Sequence, residues 1–334
     1  MTLKIGVIGT GMIGQDHIRR ITEVLTGGEI TAVTDQNAEV AAEVGARVGA
    51  TVHDAGKSLI EDPDVDAVVV TSWGPTHEEY VLAGIAARKP VFCEKPLATT
   101  QDACRRIIDA EVAHGSRLVQ VGFMRRYDAA YRALKAVIDS GEIGAPLVYY
   151  SGHRNPGVPA YYTKDMAIVD TAVHDFDTVR WLLGEELTAI RVLAPKRNSL
   201  GGDLQDPLLM IVETASGVIV NVETSVNIRY GYDIRGEVIG ESGTAALADS
   251  GPLLVRSSGR VSQAVPADWR ERFVAAFDTE FQEWITTLAG GGAPTGPSSW
   301  DGYAATTVCD AGVASLYGED RVEIVLGDKP ALYS

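Results

Sequence analysis

The sequence predicts an α/β Rossmann domain with a doubly wound parallel sheet, followed by an α+β domain with a large, mostly antiparallel sheet. Three observations predict it. A glycine-rich turn, Gly9-Thr10-Gly11-Met12-Ile13-Gly14, follows an apolar run near the start of the chain. Short apolar runs then alternate with helical stretches as far as Gly122, the pattern of a sheet with helices on both faces. Beyond that point strands follow one another with turn residues between them. We place the domain boundary after Phe123, giving a nucleotide-binding domain over 1–123 and a second domain over 124–334 whose last helix can pack back on the first.

In the first domain, Ile5–Ile8 is a buried parallel strand and leads through the glycine turn into a helix ending near Leu25. The glycines let backbone approach a pyrophosphate, and the helix N-terminus offers it unpaired N–H groups. A second strand, Ile30–Thr34, ends at Asp35, at about the twenty-residue spacing expected of a ribose-binding acid. Asp35 would accept from the ribose hydroxyls and repel a 2′-phosphate, and Gln36 and Asn37 bring no cation to offset that repulsion. The cofactor expected is NAD, held by Gly9, Gly11, Met12, Ile13, Gly14 and Asp35.

Helix Ala38–Val48, strand Thr51–Val52, strand Ala67–Thr71, helix Thr76–Ala87, strand Pro90–Cys93, helix Thr100–His114 and strand Leu118–Gly122 complete this domain. Ligands of such sheets bind beyond the carboxyl ends of strands. Ser72, Trp73 and His77 therefore lie along the cofactor, His77 either as a contact or merely as an early helix residue. Glu94-Lys95-Pro96 follows the fifth strand at the same edge, where a lysine could polarise a substrate oxygen or could simply face solvent.

The second domain opens with Phe123-Met124-Arg125-Arg126-Tyr127-Asp128 and a helix to about Ser140. An extended stretch, Pro146–His153, and a loop, His153-Arg154-Asn155-Pro156, precede a helix that holds Asp170, His174 and Asp177. Their i, i+4, i+7 spacing puts the three on one face of an α-helix. An imidazole one turn from a carboxylate can act as a proton-transfer unit; on these residues alone the plainer reading is a core histidine satisfied by its neighbour. Strands follow at Thr188–Leu193, Leu208–Thr214, Val218–Val226, Asp233–Gly240 and Thr244–Leu247, with Tyr230 and Tyr232 expected on one strand face. Such a sheet can cover an active site or build an oligomer interface. Helices Trp269–Leu288 and Ser299–Leu316 close the chain.

Composition narrows the function. Among 334 residues, 45 acids against 29 bases give a net charge of −16, which argues against a nucleic-acid partner because that binding needs clustered Lys and Arg. No apolar run approaches a membrane span. The three cysteines, Cys93, Cys104 and Cys309, have neither zinc-finger nor redox spacing, so we expect no metal and no disulfide framework. The first residues show no signal-peptide pattern, and a reduced, cytoplasmic protein is expected.

Taken together, these blocks resemble the glucose–fructose oxidoreductase / inositol dehydrogenase (Gfo/Idh/MocA) family. Glu94-Lys95-Pro96 and Asp170-x-x-x-His174 match the family signature. Gly122–Asp128, His153–Pro156 and Tyr230-Gly231-Tyr232-Asp233 match its inositol branch. The resemblance implies an NAD-dependent oxidation of a polyol, with inositol as substrate and Lys95, Asp170 and His174 as the catalytic set. It further implies Glu94 and Lys95 at the cofactor, and Lys95, Met124, Arg125, His153, Asn155, Asp170, Thr171, His174, Asp177 and Tyr232 at the polyol. A cis Lys95–Pro96 bond and a homotetramer belong to the same implication. Phe277 stands where a tyrosine is expected in close relatives. Three rivals remain: the same fold acting on another inositol isomer or an aldose, a zinc enzyme with Asp170, His174 and Asp175 as ligands, and a non-catalytic NAD-binding sensor.

Overall fold

In the computed structural model, residues 2–248, 253–318 and 320–334 are described. They divide into two units. The first comprises Met1–Phe123, Phe277–Thr306 and Leu326–Ser334, and the second Met124–Ala276 and Thr307–Val325. The single boundary expected after Phe123 thus meets a chain that returns to the first unit twice.

The first unit is a six-stranded parallel sheet in the order β3-β2-β1-β4-β5-β6. Its elements are β1 (Leu3–Ile8), α1 (Met12–Glu23), β2 (Gly28–Thr34), α2 (Ala38–Val48), β3 (Thr51–Val52), α3 (Gly56–Glu61), β4 (Ala67–Val70), α4 (His77–Ala86), β5 (Val91–Glu94), α5 (Gln101–His114) and β6 (Val119–Gly122). Apolar runs make the strands: all four residues of β4 and of β5 are buried, as strands covered on both faces must be. The bounds of α2 follow its caps. Asn37 accepts from two backbone N–H groups at the start of α2, and Gly49 ends it at φ 73°, a left-handed conformation that glycine adopts without steric cost. The six-residue α3 was not expected. Its N-cap is Ala55, which offers no capping side chain.

The strand order reverses between β1 and β4, which is where a doubly wound sheet binds its ligand. Beneath it, Ile5, Val7, Ile18, Val33, Val69 and Phe92 form a core that Phe281, Trp284 and Ile285 complete. Those three come from the far end of the sequence. The Phe92 and Phe281 rings lie 4.2 Å apart, so burying this aromatic cluster is what draws Phe277–Thr306 into the first unit.

The second unit is built on a seven-stranded sheet in the order β12-β11-β7-β10-β9-β8-β15. In chain order its elements are α6 (Ala129–Ser140), β7 (Pro146–Arg154), α7 (Val173–Leu183), β8 (Leu187–Leu193), β9 (Leu208–Thr214), β10 (Ile219–Ser225), β11 (Asp233–Gly240) and β12 (Thr244–Ala246). A separate exposed hairpin, β13 (Leu254–Ser257) and β14 (Arg260–Gln263), follows. Helices α8 (Trp269–Ala289) and α9 (Ser299–Gly318) and strand β15 (Val322–Glu323) complete the chain. Every pairing in the large sheet is antiparallel except β7 with β10. Along β9 every second residue is buried, the signature of a sheet with one covered face. Among the described residues no helix is long and apolar enough to cross a membrane.

Two local expectations are corrected. A π-helical turn, Ala167–Ala172, precedes α7, so Asp170 and His174 straddle a π-to-α junction and not one continuous α-helix. Apolar spacing cannot report such a turn, and π-turns recur at functional sites. Tyr230 and Tyr232 do not share a strand face either. Both precede β11, Gly231 between them has φ 148°, and Tyr230 is half exposed while Tyr232 is buried.

Candidate active-site residues

In the first unit the glycine turn sits at the carboxyl ends of β1 and β4. A Cβ on Gly14 would stand 2.0 Å from the Gly9 carbonyl, and one on Gly9 would stand 2.6 Å from the Ser72 backbone nitrogen. Only glycine permits those approaches. A Cβ on Gly11 would meet nothing, so its outer face is open for a pyrophosphate to reach the α1 N-terminus. Met12 and Trp73, 64% and 74% exposed, leave large apolar side chains uncovered at the same strand ends.

Asp35 closes this cradle. Its Oδ2 accepts from the Thr10 amide at 2.6 Å and from the Thr10 hydroxyl at 3.3 Å, while Oδ1 accepts from the Asn37 amide at 2.9 Å. An ionised carboxylate has about four acceptor sites, so lone pairs remain for ribose hydroxyls. The cradle fits a dinucleotide. His77 is the buried first residue of α4, with Nδ1 2.7 Å from the Pro96 carbonyl and Nε2 2.9 Å from the Ser72 carbonyl. In that position it braces the Ser72 and Pro96 loops against each other.

Lys95 is half-buried, and its bond to Pro96 is cis. Glu94 beside it accepts from His17 Nε2 at 2.8 Å through Oε1 and from the Lys95 amide at 3.2 Å through Oε2. Burial pushes the Glu94 carboxyl up, but His17 and Lys95 outweigh it and hold the group below its ordinary value.

In the second unit Asp170 and His174 are half-buried on adjacent turns, and the His174 and His153 rings lie 6.3 Å apart. Thr171 is fixed by the Tyr162 hydroxyl at 2.6 Å. Met124 is buried in a short 3₁₀ turn, and the Asn155 main chain is pinned between Ser225 and Ile228. His153 Nε2 lies 3.2 Å from the Tyr232 hydroxyl. Arg125, expected at the polyol, is only 1% exposed; NH1 donates to Asp175 at 2.6 Å and NH2 lies 2.9 Å from His153 Nδ1. Asp177 accepts from two nitrogens of Arg126, at 3.0 Å from Nε and 2.5 Å from NH2.

Two residues gain a role that sequence reasoning missed. Asp175 accepts from Arg125, from Ser151 at 2.7 Å and from His153 at 2.9 Å. Burial opposes its charge, yet Arg125 and His153 hold it well below the usual carboxylate range. A zinc site would need Asp175 as a ligand beside Asp170 and His174, but its oxygens serve Arg125, Ser151 and His153 instead. The other is His17, between Glu94 and Arg20. An arginine destined for burial needs a carboxylate, and that was the available signal for Asp175; for His17 only its place on α1 was visible.

An NAD-binding Rossmann domain of the oxidoreductase type matches residues 3–123, and the GFO/IDH/MocA C-terminal domain matches 131–246. The chain belongs to the GFO/IDH/MocA oxidoreductase family. It is 55% identical to inositol 2-dehydrogenase 3 of Saccharopolyspora erythraea, over all of this chain and 98% of that one. It is 51% identical to inositol 2-dehydrogenase of Pseudomonas fluorescens, over the whole of both chains. Among solved structures, the myo-inositol dehydrogenase of Lactobacillus casei, in complex with NAD(H) and myo-inositol, is 42% identical over the whole of both chains, with a TM-score of 0.98.

Proposed function

We propose that this protein oxidises myo-inositol at C2 to the 2-keto inositol, with Lys95, Asp170 and His174 as its catalytic residues. The observation that carries the reading is the half-buried Asp170–His174 pair in a chain similar from end to end to a dehydrogenase holding NAD(H) and myo-inositol. NAD, when bound, supplies the hydride acceptor. Gly9, Gly11, Met12, Ile13, Gly14, Asp35, Ser72, Trp73, Glu94 and Lys95 would hold it.

His174, neutral, takes the C2 hydroxyl proton as the C2–H bond breaks. Asp170 orients the imidazole and stabilises the imidazolium that forms. Lys95 stabilises the developing alkoxide; fixed electrostatic help of this kind is commonly the main source of an enzyme's acceleration. Met124, His153, Asn155, Thr171 and Tyr232 contact the polyol, Arg125 supports His153 from the protein interior, and Asp177, fully buried with both oxygens on Arg126, acts on the site through that arginine. In this reading the enzyme works in the cytoplasm, in inositol catabolism, as a homotetramer. The exposed Tyr150 and Ile219 share one face of the large sheet with Asn221, Glu223, Arg235 and Glu237, a mixed apolar and charged surface for assembly.

The test is reduced-cofactor formation by purified protein with NAD and, separately, myo-, scyllo- and D-chiro-inositol and glucose, with NADP and a chelator as controls. Turnover of myo-inositol with NAD, insensitive to the chelator, supports the reading. Glucose as the only substrate would keep the chemistry and refute the inositol assignment. Binding of NAD without any turnover would favour a sensor.

A further inference from the structure

Around Glu94 the first unit buries a polar cluster, centred on His17, that apolar packing does not account for. His17, on α1, is wholly buried among the rings of Phe92, Phe277 and Phe281, at centroid distances of 6.1, 5.6 and 4.4 Å. Its Nε2 lies 2.8 Å from Glu94 Oε1, and its Nδ1 lies 2.7 Å from Arg20 NH1. A guanidinium can only donate and an ionised carboxylate can only accept. The two neighbours therefore fix the tautomer: Nδ1 accepts from Arg20, and Nε2 carries the proton and donates it to Glu94.

The chain of contacts continues on both sides. Arg20 is 1% exposed and donates through Nε to Asp278 at 2.7 Å and through NH2 to Asp16 at 2.8 Å, both nearer the surface. Glu94 passes the restraint on, because its second oxygen accepts the Lys95 amide at 3.2 Å. Gly122 seals the other side; a Cβ there would come within 3.1 Å of the Glu94 carboxyl carbon. The Phe277 ring lies 5.0 Å from the Arg20 guanidinium and also packs on His17, so the residue expected to be tyrosine contacts this cluster.

We propose that His17, fixed as a neutral imidazole between Arg20 and Glu94, is a positioning residue that sets the placement of Lys95. The inference rests on the proposed role of Lys95 in polyol oxidation. A proton added to Nδ1 would point at the guanidinium, so the Arg20 contact that anchors the ring opens when His17 is charged, while Nε2 still donates to Glu94. Of the titratable groups facing it, Glu94 and Asp16 favour that charge and Arg20 opposes it; burial opposes it most strongly.

The test uses the full-length enzyme with His17→Gln and His17→Leu. Glutamine presents an N–H to Glu94 and a carbonyl to Arg20, and it does not titrate; leucine does neither. H17L should lose kcat by about a hundredfold, the scale of an ångström-level misplacement, with NAD affinity changed far less. H17Q should recover most of that loss. Its kcat should also fall less steeply toward acid pH than that of the wild type, because one of two protonations has been removed. H17Q as impaired as H17L, or with the wild-type acid profile, overturns the proposal. Should H17L not fold, the H17Q profile decides alone. Nitrogen-15 NMR of the wild-type imidazole should show Nε2 protonated and Nδ1 bare; the reverse also overturns it. That spectrum requires no turnover, so a wild type inactive on every polyol refutes the proposed function and leaves the geometry of His17 separately testable.

Discussion

Replacing Asp35 with asparagine should convert a strongly NAD-selective protein into a weakly selective one. The carboxylate is held by the Thr10 and Asn37 amides, so it is already aimed before the cofactor arrives. Hydrogen bonds to a charged acceptor are worth about 1.5–3 kcal/mol and those to a neutral one about 0.5–1.5 kcal/mol. Loss of charge with retention of one acceptor should therefore weaken each ribose contact by about 1–1.5 kcal/mol, or about 2–3 kcal/mol for two hydroxyls, taking the pair as additive. At 1.4 kcal/mol per decade, NAD affinity falls roughly 30- to 150-fold. For NADP the sign reverses. A 2′-phosphate near 4 Å from a carboxylate meets about 4 kcal/mol of repulsion per unit charge at an effective dielectric of about 20. Asp35 is half-buried, so solvent screens part of this; a gain of about tenfold remains a conservative figure. The ratio of kcat/KM for NAD over NADP should thus drop by at least about two orders of magnitude. Initial rates with each cofactor at saturating myo-inositol measure it, and thermal melting separates the cost of loosening Thr10. A D35N enzyme that folds and keeps the wild-type ratio would refute the assignment of Asp35 to the ribose.

Other outcomes follow from the same geometry. Lys95→Met should lower kcat by about 10²–10³ while NAD binding, read by fluorescence titration, changes little; equal losses in both would make Lys95 a cofactor anchor only. Asp175→Asn should lower the melting temperature strongly, since removing one partner of a buried ion pair costs about 3–5 kcal/mol; an unchanged melting curve would mean that Arg125 finds another partner. Burial depresses the pKa of His17 and of His77 below the ordinary 6.5. Each then binds its proton more readily unfolded than folded, so the stability it contributes is present above about pH 6.5 and is lost as pH falls below that value. Urea unfolding between pH 7 and pH 5 should show that decline, and H17Q should make it shallower, leaving the share of His77. A wild-type stability that is level across the range would contradict the assignment.

What could be read from the chain and what could not divide along physical lines. Helix α2 and strands β9 and β11 have their observed bounds in the sequence, because Asn37 and Gly49 cap the helix and apolar alternation follows the pleat. The hairpin β13–β14 is invisible there for the opposite reason. Its residues are almost all exposed, so no burial pattern marks it. The π-turn at Ala167–Ala172 changes the number of residues per turn without changing the residue types it uses. Lys95, Asp170 and His174 stand out as motif members. Their supports do not, since Arg125 and Asp175 are 50 positions apart and Arg20 and Asp278 are 258 apart, and spacing carries no trace of either pairing.

Those supports share a logic that the energetics make explicit. A buried ion pair seldom adds net stability, because desolvation of two charges offsets their attraction. Hydrophobic residues of similar volume would have filled the same space around His17 or Asp175 at no such cost. Each cluster nonetheless holds a group proposed to act on substrate or cofactor: Glu94 and Lys95 in the first unit, His153 in the second. Their hydrogen bonds fix direction as well as distance, and in the case of His17 they also fix which ring nitrogen bears the proton. Apolar packing can set a side chain's position but cannot choose a tautomer. The buried charges are therefore best explained as orienting devices, and their removal should cost rate beyond what any loss of stability predicts.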